Sequence, residues 1–300
     1  ASNEPLWVID GVPVYTGGRT NQMAGTSYTV SPLSYLNRDD IESITVLKDA
    51  DQVTIYGADG SNGVILVTTK SGSNNKPLAI SARVNFGVAT IDKSTEFRMM
   101  SQEQYLAVAK EAWTNAGNSL KTFPYQDNDY NSYSTTDTDW SKEYLGVGTN
   151  LYADLSLTSG TKKTSNYVTG SYYKTDNTVK SDSQQRFSFR TRNSYDFTKW
   201  LRFNAQLSAS YNTNNLFPLY RGFLETLPIF EPYLSDGSFR LYNKVYDEAS
   251  GGWVMRKFTK NEVPAREANT NTQRSVMTSA NFSVEAKIFD GLKFTSQYAI

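Results

Sequence analysis

The sequence predicts a mainly β protein, a small sheet followed by the antiparallel strands of a transmembrane β-barrel, and three observations predict it. Apolar and polar residues alternate in several separate stretches after Pro77, the period of a strand with two unlike faces. The connections between these stretches are short and long in turn, the layout of an outer-membrane barrel with turns on one side and loops on the other. Only 38% of the chain is hydrophobic, yet it holds 20 tyrosines and 15 phenylalanines, a mixture suited to sheets with one polar and one greasy face. A soluble sandwich also alternates, but nothing in it would sort connections by length.

Composition narrows the chemistry. Thirty basic residues balance thirty acidic ones, so no global field draws nucleic acid. Cysteine and histidine are absent, which removes the thiolate nucleophile, the Cys/His zinc site and the imidazole base. No disulfide framework is possible. Carboxylate pairs could in principle act on glycosides, yet no pair stands at a defined separation, and the expectation is a non-enzyme without cofactor or metal. No run approaches the ~18 apolar residues of a membrane helix. The opening ASNEPLWVID lacks the basic and apolar regions of a signal peptide.

Leu6, Val8 and Ile9 predict a short strand that turns at Asp10-Gly11 and resumes over Val12 to Tyr15. TGGRTNQMAGTSYTVSP has no period and reads as a loop. Asp39 to Lys70 reads as strand, short connector, strand. Ile41, Ile44, Val46 and Leu47 form the first apolar segment, and Val64 to Val67 form a run of the kind buried on both faces. Gly57, Gly60 and Gly63 between them suggest a phosphate cradle. A dinucleotide fingerprint, however, opens a helix whose N-terminus holds the anion, whereas Gly63 leads straight into a strand.

Three blocks, LWVIDGVPV, DDIESITVLKDA and IYGADGSNGVILVTTKSG, resemble in order the second half of the plug domain of a TonB-dependent outer-membrane transporter of the SusC/RagA type. The family's middle block runs close to VLKDASAAAIYG, and Asp51, Gln52, Val53 and Thr54 depart from its small-residue pattern. The resemblance implies that residues 1–76 are the C-terminal part of a plug. Asp10, Gly11, Asp40, Ile41, Lys48, Asp49, Tyr56, Gly57 and Gly63 are then structural motif residues. It also implies that the loop after the DG strand faces the outer vestibule, which makes Tyr15, Arg19, Asn21, Gln22 and Tyr28 candidates for substrate binding. The alternative for that loop is a solvated connection.

SGSNNK (71–76) is a polar linker and Pro77 a boundary. Residues 77–300 then predict about seven barrel strands. Leu78, Ile80, Ala82, Val84, Phe86 and Val88 alternate with Ala79, Ser81, Arg83, Asn85 and Gly87. The pattern returns at Leu151 to Leu157, Asn166 to Thr175, Phe187 and Phe189, Leu201 to Tyr211, Val276 to Ile288, and from Leu292 onward. Short connections fall at 160–164, 198–199 and 290–291, and long ones at 92–149, 176–182 and 213–272. The apolar set faces lipid, where no water satisfies a polar group. Arg83, Arg190 and Arg202 therefore face the lumen, either paired with acidic groups of the plug or simply hydrated.

The long extracellular loops 92–149 and 213–272 carry structure of their own. Ser101 and Gln104 form a capping box for a helix that stops at Gly117. Tyr125, Tyr130, Tyr133 and Trp140 follow among Asp127, Asp129, Asp137 and Asp139. The aromatics can stack on sugar rings or cover a partner. The acids lack the glycine and closing glutamate of an EF-hand. Thr138, Asp139 and Trp140 match a segment that the resembling family carries before its second barrel strand. Prolines and aromatics from Phe217 to Asn271 suit a compact cap.

Seven strands cannot close a barrel, and an open edge in lipid is not stable. The chain is therefore expected to be an internal piece of a longer protein, since the family's barrel has twenty-two strands. The resemblance implies TonB-dependent import of an oligosaccharide or peptide across the outer membrane of a Gram-negative, Bacteroidetes-like cell. TonB, a SusD-like surface lipoprotein and outer-membrane lipid are the implied partners, with no nucleic acid. A siderophore receptor of the same fold and a surface glycan-binding or adhesin β protein are the alternatives.

Overall fold

Leu6, Val8, Val64 and Val67 are all buried, and burying them together brings two distant stretches into one sheet. The structure, a computed structural model, describes residues 5–14, 20–23, 26–29, 33, 36–92, 99–216, 222–268 and 271–300. Strand β1 (Leu6–Ile9) turns back on β2 (Val12–Val14) through Asp10 and Gly11. Both turn residues have positive φ, 49° and 83°, as a two-residue hairpin turn of this hand requires. Strands β3 (Thr20–Met23) and β4 (Thr26–Thr29) form a hairpin where composition predicts a loop. The threonines and Tyr28 there have strand propensity that the Gly/Ser/Asn content masks.

Strand β5 (Ile41–Leu47) is followed by helix α1 (Ala50–Val53), a 3-10 segment over Thr54–Gly60, and strand β6 (Val64–Thr69). The connector is thus two helical turns rather than an open turn, interrupted at Gly57 (φ 60°). Gly63 (φ 92°) starts β6 with its Cα so close to β5 that a Cβ would lie 3.1 Å from the Leu47 carbonyl oxygen, a place for glycine. The sheet order is β2-β1-β6-β5, with β1 and β6 parallel. As the inner strand between β1 and β5, β6 holds the continuous apolar run. At the edge, β5 leaves Ile44 and Val46 48% and 52% exposed, so these two are not core.

The wall begins with β7 (Ala79–Ala89). Helices α2 (Gln102–Asn115) and α3 (Trp140–Tyr144) precede β8 (Gly148–Gly160), β9 (Thr164–Asp176), β10 (Ser183–Asp196) and β11 (Leu201–Asn215). After helix α4 (Gly222–Glu225), hairpin β12 (Tyr242–Asp247) and β13 (Gly252–Lys257), and helix α5 (Val263–Glu267), come β14 (Thr272–Phe289) and β15 (Leu292–Ala299). Seven of these strands form one antiparallel sheet in the order β15-β14-β11-β10-β9-β8-β7, the seven that alternation predicts.

Register makes the two faces consistent across strands. Val84 opposes Ala153, Tyr172 opposes Phe187, Phe189 opposes Ala209, and Phe282 lies between Ala205 and Tyr298. The Tyr172 and Phe187 rings pack against each other, tilted by 37°, with centroids 4.7 Å apart. Ile80, Val84, Phe86, Phe187, Phe189, Leu207, Val276 and Phe294 on this face are exposed, an apolar face of the kind that marks contact with lipid or a partner. The opposite face carries hydroxyls and amides that bond one another, as in Ser171 to Ser188 (2.7 Å) and Ser208 to Ser279 (2.6 Å).

The two long loops pack into one cap. Trp140 and Tyr144 from the first join Phe258 and Val263 from the second, and Leu106, Phe123 and Tyr133 join Ile229. Helix α2 starts on its capping box, with the Ser101 hydroxyl accepting from the Gln104 amide and the Gln104 side chain accepting from the Ser101 amide.

Candidate functional site: the joint between the inner sheet and the wall

The Asp10-Gly11 turn points the Asp10 carboxylate at the polar face of the wall. Its side chain is 2% exposed. Oδ1 accepts from the Thr69 amide (2.9 Å) and from Arg192 (3.3 Å); Oδ2 accepts from the Thr69 hydroxyl (2.7 Å), Gln206 (3.0 Å) and Arg190. Arg190, itself 3% exposed, also donates to Thr69 Oγ1, and Arg192 reaches the Thr69 carbonyl (3.2 Å). Burial alone would push the Asp10 carboxyl up. The Arg190 guanidinium, the two Thr69 donors and Arg192 outweigh it and hold Asp10 below the usual carboxylate range.

A second cluster forms at the 3-10 turn Arg38–Asp40, whose Asn37 side chain accepts from the Asp39 amide. Tyr152 of β8 donates to Asn37 Oδ1 (2.9 Å), Tyr167 of β9 donates to Asp40 Oδ1 (3.0 Å), and Arg83 of β7 pairs with Asp39 (2.5 Å). Asp40 is 3% exposed, and among the described residues no cation pairs with it directly. Burial raises its carboxyl above the ordinary value despite the Tyr167 hydroxyl and the more distant Arg190.

Of the three arginines predicted to face the lumen, Arg83 and Arg190 pair with plug-side aspartates. Arg202 instead pairs with Asp196 on the neighbouring wall strand (2.6 Å), because register places them opposite each other. Thr69, Arg192, Gln206, Tyr152 and Tyr167 are joint residues that sequence reading did not single out. Strand parity could have found the tyrosines, since each is a large aromatic on the polar face of its strand and needs something to cover it. Asp10, Gly11 and Asp40 of the motif lie in the joint. Ile41 starts β5, Tyr56 packs against the cluster of Leu6, Val8 and Val64, the Asp49 main-chain carbonyl accepts from the amides of Gln52 and Val53, and Lys48 is exposed.

The structure does not gather the predicted substrate-binding residues into one surface. Tyr15 and Arg19 lie outside the described residues. Asn21 and Tyr28 are register partners on the β3–β4 hairpin, with Gln22 beside them. Tyr133 (0% exposed) and Trp140 (1%) are core of the cap, and their polar atoms donate to the carbonyls of Lys244 and Leu227; they build the cap and present no surface to substrate. Tyr125 is partly buried beside Tyr133 and Phe230. Tyr130 lies under the Arg240 guanidinium, 5.1 Å from its ring centroid. The four loop aspartates are each engaged: Asp127 with Ser134, Asp129 with Lys244, Asp137 with the Gln102 amide, and Asp139 with Ser141 and Lys142.

Comparison with known proteins bears on this arrangement. Residues 1–64 match the TonB-dependent Receptor Plug Domain family. TonB-dependent receptor P26 of Formosa agariphila is 32% identical over 248 residues, 81% of this chain and 23% of that protein. TonB-dependent receptor SusC of Bacteroides thetaiotaomicron is 31% identical over 188 residues, 63% of this chain and 17% of that protein. The chain thus spans no more than about a quarter of the length of these curated relatives. The solved structure of the RagAB peptide transporter superposes with a TM-score of 0.71 at 20% identity, over 100% of this chain and 34% of that one, a likeness of fold.

Proposed function

We propose, from the premise that this chain is plug and barrel of a TonB-dependent receptor of the SusC/RagA type, that the protein it belongs to imports a large nutrient across the outer membrane. The nutrient is an oligosaccharide or a peptide. A SusD-like lipoprotein covers the long-loop side and TonB acts on the plug from the short-turn side. The observation that carries this reading is the charged joint: Asp10 and Asp39 of the inner sheet bond to arginines on the polar face of a wall whose other face is apolar. A stopper held by polar side chains can exchange those bonds for water when displaced, whereas an apolar contact has no such substitute.

The test is to tie the joint shut in the full-length receptor. Asp39→Cys and Arg83→Cys, bridged by a short thiol-cleavable reagent, should lower uptake of a labelled oligosaccharide or peptide at least tenfold, and reduction should restore it. Uptake by the bridged receptor at the unbridged rate would overturn the reading. Removing the SusD-like lipoprotein should lower uptake at limiting substrate, and fractionation should place the receptor in the outer membrane.

A further inference from the structure

The linker between the inner sheet and the wall is held by a different kind of contact from the joint above it. Residues 71–76 run beneath the short β8–β9 turn. The Asn75 amide, at a φ of 56°, donates to the Thr161 carbonyl (3.0 Å), and the Gly160 amide donates to the Lys76 carbonyl (2.8 Å). Two glycines allow this approach. A Cβ on Gly72 would stand 2.6 Å from the Asn166 nitrogen of β9, and one on Gly160 would stand 2.1 Å from the Ser73 carbonyl oxygen. Backbone therefore lies against backbone on both sides, with no side chain able to yield.

Side chains add a tie to the next turn. Asn74 donates to Asp196 Oδ2 (3.0 Å), and Asp196 is itself fixed by Arg202 (2.6 Å) and by its amide, which donates to the Lys163 carbonyl (2.7 Å). The turn is rigid in its own right, since Thr161 and Thr164 bond through both hydroxyls (2.8 Å) and backbone (2.9 Å). Every tie between the inner sheet and the wall named above, by contrast, passes through a wall side chain: Arg83, Tyr152, Tyr167, Arg190, Arg192 or Gln206.

We infer, resting on the proposed displacement of the inner sheet, that residues 72–76 are a fixed anchor, which stays on the wall when the inner sheet moves, so that the movable part of the plug ends at Ser71. The direction of pull then matters less than its limit. Displacement of Asp10, Asp39 and Asp40 breaks side-chain bonds that water can replace, but lifting the linker requires breaking main-chain bonds and separating a glycine-packed seam. The anchor is a property of the fold and holds whatever the cargo is.

Hydrogen exchange on the full-length receptor in lipid, across a urea series that opens the plug before the barrel, tests it. The Asn75 and Gly160 amides should stay protected with β8 and β9, at least tenfold slower than those of β1 and β6, at urea concentrations where the latter exchange. Exchange of Asn75 and Gly160 together with β1 and β6 would overturn the anchor. Gly72→Val should speed exchange at Asn75 and Gly160 at least tenfold while leaving β10 and β11 protected; unchanged protection at both amides would equally overturn it. Asn74→Ala, which removes one tie and leaves the glycine seam, should give a smaller increase in the same two amides, and no folding defect is expected from it.

Discussion

Asp10 and Asp40 are two buried carboxylates in one joint, and their environments set them against each other. Asp10 has Arg190, Arg192 and Thr69; Asp40 has the Tyr167 hydroxyl and, among the described residues, no directly paired cation. The Asp10 carboxyl is held below its unfolded value, so its contribution to seating is present above about pH 4 and is lost as pH falls through the folded pKa. The Asp40 carboxyl is raised, so its contribution is complete below about pH 4 and is lost as pH rises through the folded pKa. Asp10→Asn should therefore weaken plug seating at neutral pH, with the difference from wild type shrinking in acid. Asp40→Asn should do the reverse, strengthening seating at neutral pH, because an amide oxygen still accepts from Tyr167. Urea midpoints for plug opening at pH 7, at pH 4 and at a pH well below 4 read both signs, the Asp40 difference between the first two and the Asp10 difference between the last two. Arg190→Ala leaves Asp10 buried beside only the more distant Arg192 and should cost about 3–5 kcal/mol of plug stability. Sequence made Asp10 and Arg190 visible separately, one as a turn residue and one as a polar-face residue. Their pairing was not visible, because 180 positions separate them and only the seating of the inner sheet on the wall brings them together.

At the scale of elements, period carries most of what can be read. A strand's faces follow from the alternation of its own residues, so the apolar side of β10, with Phe187 and Phe189, is legible without knowing a neighbour. Phe189→Arg should lower the stability of the full-length barrel in lipid by about 2–4 kcal/mol, measured by urea unfolding in bilayers, while Ser194→Arg on the polar face should change it little. Helix α2 is equally legible through its capping box, a signal contained within four residues. The cap is not. Its aromatics have no period, and whether Trp140 faces a substrate or a core depends on the second loop, whose Phe258 and Val263 close over it. The same holds for β3 and β4, where individual strand formers lie among turn residues. Trp140→Ala should leave a cavity that costs about 3–5 kcal/mol of cap stability, with proteolysis of both long loops as the readout, since each loop supplies half of that core.

For the whole molecule, the question is which contacts keep the inner sheet against the wall and which merely stabilise the wall. The three arginines answer it differently, because their partners belong to different parts. Arg190 is buried and bonds the Asp10 turn and Thr69 at once. Arg83 bonds one carboxylate, that of Asp39, whereas Arg190 ties two residues of the inner sheet. Arg202 bonds Asp196 within the wall, and Asp196 in turn accepts from the linker's Asn74. In the full-length receptor, ion leak through planar bilayers should then rank Arg190→Ala well above Arg83→Ala, with Arg202→Ala near wild type. An Arg202→Ala leak equal to that of Arg190→Ala would mean that the wall's own pairs govern plugging. The ranking also separates plug loss from barrel loss, because Arg190→Lys keeps a charge beside Asp10 but cannot reach Asp10 and Thr69 with one planar group. It should leak at an intermediate level while the barrel's urea midpoint stays at the wild-type value.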